Sequence, residues 1–113
     1  MSWQDFLKSS REFARIAFDE NISPTVRVQN AFKAVEFAIA AYAVKHKKSR
    51  PERGREVLFM ELNFGQKAAD DFKAVMTSYY DSYGLVSEQR AEYVCSKIRV
   101  LLEKIFSALD ETL

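Results

Sequence analysis

Apolar positions recur with helical spacing along almost the whole chain. The densest stretch is Asn30–Val44, where only Lys33 and Glu36 carry charge. Ala31, Phe32, Val35, Ala38, Ile39 and Tyr42 fall on one helical face. Ala34, Phe37, Ala41 and Val44 make the remaining face apolar too. The alanines at 38, 40, 41 and 43 favour helix and let neighbouring helices approach closely. A helix that is apolar nearly all round belongs in the middle of a bundle. Its longest uncharged run, Phe37–Val44, is far short of the about 20 residues a bilayer span needs.

The flanking segments are amphipathic. A first helix is predicted from Trp3 to about Asp19, with Ser2 as N-cap and Asp5 in the first turn. Trp3, Phe6, Leu7, Ser10, Phe13, Ala14, Ala17 and Phe18 form its buried stripe. Ser23-Pro24 starts the central helix, which runs to about Lys47. Pro51 biases Arg50 away from helix. A short helix is predicted over Glu56–Asn63, with Val57, Leu58, Met60 and Leu62 apolar and Gly65 as C-cap. The next helix runs from Gln66 to about Tyr83, with Gly84 ending it. Ser87 caps the last helix, which continues to about Asp110 and buries Ala91, Val94, Cys95, Ile98, Leu101, Leu102, Ile105 and Leu109. The expected fold is all-α: an antiparallel up-and-down bundle of four long helices plus one short helix.

Composition agrees with one domain over residues 1–113. The chain is 48% apolar and 29% charged, ordinary for a globular domain. Net charge is +1, so a nucleic-acid reading must rest on local clustering. The N-terminus shows no basic region followed by an apolar stretch, and Cys95 is the only cysteine. A reducing, cytoplasmic setting is the expectation.

Little of the chain points to catalysis. His46 is the only histidine and sits among lysines at a helix end. One histidine cannot supply the paired Glu-x-x-His of a di-iron bundle, and no Gly-rich phosphate loop occurs. No metal and no cofactor is expected. Cys95, on the apolar stripe of the last helix, reads as a structural thiol. Glu36, inside the central helix, is expected to tilt to solvent, since a buried carboxylate would need a partner.

The clearest signal outside the core is basic. Lys45, Lys47, Lys48, Arg50, Arg53 and Arg55 place six basic residues in eleven positions, against the single acid Glu52. With His46 they form a candidate nucleic-acid-binding segment. The alternative is a solvated loop and helix cap. Tyr79, Tyr80 and Tyr83 form a candidate aromatic surface able to stack on bases, or a half-buried structural cluster.

The run Asn30-Ala-Phe-Lys-Ala-Val-Glu-Phe-Ala-Ile-Ala-Ala-Tyr, followed by a basic loop, resembles the second helix of HEPN-domain proteins. Tyr79-Tyr-Asp-Ser-Tyr-Gly-Leu-Val-Ser-Glu-Gln-Arg-Ala-Glu-Tyr is similar to that family's Asp-Tyr turn and the Ser-capped helix after it. The resemblance implies a small prokaryotic helical bundle, commonly a homodimer. It further implies a partnership with a minimal nucleotidyltransferase in a toxin–antitoxin pair. Active members are metal-independent ribonucleases with an Arg-x4–6-His motif. Here the nearest arginine ahead of His46 is Arg27, nineteen positions earlier.

The expectation is therefore a non-catalytic HEPN-like module that homodimerises and binds a protein partner or nucleic acid. The alternative is a ribonuclease toxin with a degenerate site using His46 and the basic loop. Phe37, Phe59, Phe64, Tyr80 and Phe106 lie off the main stripes. Some of this surface is expected to be exposed in a monomer, and a dimer interface is expected to use aromatic side chains from these positions.

Overall fold

A computed structural model describes residues 1–81 and 85–113. Its helices are α1 (Trp3–Ala17), α2 (Pro24–Lys45), α3 (Glu56–Phe64), α4 (Gln66–Tyr80) and α5 (Glu88–Ala108). No strand occurs among the described residues, so the fold is all-α. None of these helices is long and apolar enough to cross a membrane.

Local chemistry explains where the helices begin. Ser2 and Asp5 form a capping box: the Ser2 hydroxyl accepts from the Asp5 N–H at 3.3 Å, and the Asp5 carboxylate accepts from the Ser2 N–H at 3.1 Å. Two orphan donors are satisfied at once. Ser87 accepts from the Arg90 N–H at 3.1 Å. Ser23 stands at the expected position but makes no side-chain capping bond; the fixed φ of Pro24 pre-forms that turn instead.

α1, α2 and α5 end earlier than the apolar pattern suggests. Lys47 takes φ 55° and Asp110 φ 59°. The Lys48 N–H returns to Ala43 O at 2.8 Å, and the Glu111 N–H returns to Phe106 O at 2.9 Å. These are Schellman closures, which stop α2 and α5 in a left-handed residue. The Asn21 N–H closes a turn onto the Asp19 carboxylate at 2.9 Å, past the end of α1. Gly65, at φ 95°, separates α3 from α4, and that conformation suits glycine. The expected end of the fourth helix at Tyr83 and Gly84 lies outside the described residues.

α2 is the hub, with twelve buried residues out of 22, and α1, α4 and α5 all pack on it. The α1–α2 seam is built from small residues: Ser10, Ala14 and Ala17 against Ala31, Ala34 and Ala38. All are nearly fully buried, which permits close approach of the two backbones. Ser10 donates to Ala34 O at 2.7 Å, so the polar break in the first stripe joins the two helices. Ser10 lies opposite Ala34, and Arg27 reaches Ala17, so α1 and α2 run antiparallel. Phe32 stacks on Phe72 and Tyr79, while Tyr42 meets Asn63 and Phe64. That pairing turns α4 antiparallel to α2.

α2 and α5 run parallel. The Val86 N–H donates to Thr25 Oγ1 at one end, and Lys45 donates to Leu109 O at the other. The four long helices alternate in direction along the chain, with α2 and α5 as touching diagonal partners. The radius of gyration, 13.1 Å, matches the about 13 Å of a compact chain of this size.

On α3, Met60 is buried, and Leu58 and Leu62 face solvent. One burial expectation is corrected. The off-stripe aromatics form no exposed sheet of rings. Phe106 is fully buried, and Phe37 stacks on Phe13 at 5.3 Å between centroids. Phe59 and Phe64 pack on Tyr42. Of the five, only Tyr80 is exposed, at 44%.

Candidate binding cleft under the basic strap

Between α2 and α3 the chain doubles back as a strap over residues 46–55. Its shape follows from local chemistry. Pro51 fixes one φ. The Arg55 N–H closes a turn on Glu52 O at 2.9 Å, with Gly54 at φ 91° in the third position, where a type II turn requires glycine. The Gly54 N–H donates to Glu56 Oε2 at 2.8 Å, tying the turn to α3.

The seven basic candidates divide into two groups. Lys45 and His46 are committed to the bundle. Lys45 donates to Leu109 O at 2.6 Å, lies 3.9 Å from the Asp110 carboxylate, and sits over the Trp3 ring at 4.4 Å. The His46 ring packs on Tyr42, with centroids 4.4 Å apart, and its Nε2 stands 3.1 Å from Ala108 O. Parallel α2 and α5 bring two helix C-termini, both negative dipole ends, side by side. Lys45 and His46 reach across that junction. Lys47, Lys48, Arg50, Arg53 and Arg55 are exposed. Arg50 lies over the buried Phe6 ring at 4.9 Å.

The strap and the end of α4 enclose a cleft of about 350 Å³. Phe32 and Glu36 come from α2, Pro51 and Arg53 from the strap, Glu56 from α3, and Tyr79 and Tyr80 from α4. The basic segment and the aromatic cluster, separate in sequence, thus meet at one place. Tyr79 stacks on Phe32 at 4.3 Å, and Tyr80 meets Tyr79 at 5.6 Å and 76°. Tyr83 lies outside the described residues.

Glu36 reaches solvent, as the sequence suggests, yet partial burial and the charge of Glu56 push its carboxyl above the ordinary range. Arg50, Arg53 and Lys33 pull the other way. None closes to an ion pair with it among the described residues, and no hydrogen bond engages its carboxylate there. The cleft therefore offers a free acceptor, a cation and an exposed ring. That set suits binding; no nucleophile and base stand together in it.

Two further polar clusters hold helices together. The Arg27 guanidinium donates to Ala17 O at 2.8 Å and to Glu92 at 3.1 Å, and faces Cys95 Sγ at 3.7 Å. Cys95 itself donates to Ala17 O at 3.1 Å. Burial pushes its thiol up, against the pull of Arg27, so it stays protonated and unreactive near neutrality. Asp71, buried on α4, takes Lys97 at 3.0 Å and Lys67 at 3.5 Å. Burial alone would raise its carboxyl, but the two lysines hold it below the usual range. Among the described residues no group of three His, Cys, Asp or Glu side chains is placed to hold a metal ion.

Sequence reading passed over Arg27, Asp71 and Glu56. Arg27 and Asp71 do carry a signal: each interrupts an apolar stripe, Arg27 four residues before Ala31 and Asp71 beside Phe72. A charge on a buried stripe requires a partner. No family model, no curated protein and no solved structure matches this chain.

Proposed function

We propose that this chain is a non-catalytic, HEPN-like binding module that takes single-stranded RNA across its basic strap. One observation carries the reading: Arg53 of the strap and the exposed Tyr80 converge on one cleft. Single strands are bound by cations that follow the backbone and by rings that stack on bases. Lys47, Lys48 and Arg55 are exposed on the same strap.

The non-catalytic part rests on His46, whose ring is held between Tyr42 and the end of α5, with Arg27 as the nearest arginine ahead of it in sequence. The resemblance to HEPN proteins supports a homodimer in a prokaryotic cytoplasm, with a nucleotidyltransferase as protein partner of a toxin–antitoxin pair.

The test uses purified protein and a labelled single-stranded RNA. Binding is expected, and changing Lys48, Arg53 and Arg55 together to Ala should weaken it at least tenfold, in keeping with about one counterion released per phosphate contact. Absence of binding at low salt would overturn the reading. RNA cleavage without metal that vanishes in His46→Ala would overturn the non-catalytic part. Light scattering should give twice the mass of the 13.0 kDa chain; a monomer mass at micromolar concentration would remove the dimer.

A further inference from the structure

The cleft differs from a general backbone-binding groove in one respect. Among its lining residues is a solvent-exposed carboxylate, Glu36, unengaged by hydrogen bond or ion pair among the described residues. A phosphate-binding groove gains nothing from a negative group there. The neighbouring Glu56 is already engaged, accepting from the Gly54 N–H. Glu36 is thus an acceptor-only group lining the same cleft as the Tyr80 ring and Arg53. The volume, about 350 Å³, lies at the small end of the roughly 300–1,000 Å³ of small-molecule clefts.

Bases of a single strand are recognised when a ring stacks on them and polar groups meet their Watson–Crick edges. On that edge guanine alone presents two adjacent donors, N1–H and N2–H. A carboxylate has two acceptor oxygens and can take both. Uracil places its single N–H between two carbonyl oxygens, which a carboxylate repels. Adenine and cytosine each offer one amino group beside an acceptor nitrogen.

We infer that the cleft is a guanine subsite: Tyr80 stacks on the base, Glu36 accepts from N1–H and N2–H, and Arg53 holds the adjoining phosphate. This inference rests on the RNA-binding reading above and adds base preference to it. A guanidinium or ammonium group of a partner peptide would also suit a carboxylate beside rings. The cations whose charge acts on Glu36, namely Arg50, Arg53 and Lys33, repel a basic peptide, which favours the base.

The experiment compares three labelled oligonucleotides on the full chain: an all-uridine heptamer, the same with one central guanosine, and the same with inosine in its place. Inosine keeps N1–H and lacks the N2 amine. The guanosine oligomer should bind roughly tenfold tighter than the uridine one, the scale of one bidentate base contact. Inosine should fall between them. Glu36→Gln replaces one acceptor oxygen by a donor and should erase the difference between guanosine and uridine.

Equal affinity for all three oligomers would overturn the guanine subsite while leaving strand binding intact. No binding of any of them would overturn both. A preference that persists in Glu36→Gln would overturn the role of that residue. GMP alone should bind far more weakly than the guanosine oligomer; equal affinity would overturn the assignment to a strand. Capture of an arginine-rich peptide in place of RNA would overturn the base reading.

Discussion

Lys47 occupies a position where glycine is the usual choice. Its φ of 55° costs an L-residue about 1–2 kcal/mol relative to the right-handed region. Part of that is recovered because glycine is itself disordered in the unfolded chain. Lys47→Gly should therefore stabilise the protein by roughly 0.5 kcal/mol. Urea denaturation measures it. If Lys47 belongs to the RNA-binding rim, the stabilised variant should also bind RNA less tightly. A variant that is both less stable and unchanged in binding would contradict both halves of that expectation.

Glu36 makes the second residue-scale case. Its carboxyl is raised above its ordinary value of 4.5 by burial and by Glu56, with Arg50, Arg53 and Lys33 opposing. A folded state with a raised carboxyl holds its proton more tightly than the unfolded chain does. The stability it contributes is fully present below the ordinary value and is lost as pH rises through the raised one. Glu36→Gln removes that titration. The variant should match the wild type near pH 4 and become the more stable of the two at pH 7. Thermal unfolding at both values reads the difference, and an advantage that does not grow with pH would contradict it.

At the scale of elements, the parallel pairing of α2 and α5 explains the fate of two basic candidates. Two negative helix ends lie together, and Lys45 and His46 bind the carbonyls of the second from the end of the first. Lys45→Met keeps most of the stem and removes the charge. It should cost about 1–2 kcal/mol, with RNA affinity falling less than for a strap cation such as Arg53. The pattern of apolar residues could not show this. It reports which face of a helix is inward, and Ser2, Pro24, Gly65 and Ser87 mark where elements begin and end. It carries no direction for diagonal partners. Nor does it show which apolar residue of α3 is inward: a helix of nine residues packed on one side buries Met60 and leaves Leu58 and Leu62 exposed. Phe106, off the main stripe and expected at an exposed surface, is fully buried under Arg11.

At the scale of the molecule, the central helix was the most legible feature, because a stretch apolar on both faces has only one place in a bundle. The cleft was half legible. Both of its parts, the run of basic residues and the paired tyrosines, stand out as local clusters. Their meeting depends on the strap doubling back along α2 and on α4 returning beside it, and that is set by long-range packing. Glu36 was visible as a charge in an apolar helix, but its neighbours Arg53, Glu56 and Tyr80 come from three other segments. The interior charges Arg27 and Asp71 break apolar stripes for a structural reason: Arg27 ties α2 to α1 and α5, and Asp71 ties α4 to α5.

The central claim is that the strap is a polyanion-binding surface built around one aromatic cleft. The salt dependence of RNA binding tests it most directly. Fluorescence anisotropy with a short single-stranded RNA, repeated over a series of salt concentrations, gives the slope of log affinity against log salt. Each phosphate contacted contributes about −0.7 to that slope for single strands. With Lys47, Lys48, Arg50, Arg53 and Arg55 all exposed, a slope of several such increments is expected, and Arg53→Ala should reduce its magnitude by about one increment. A flat salt dependence, or a slope unchanged when strap cations are removed, would contradict the account.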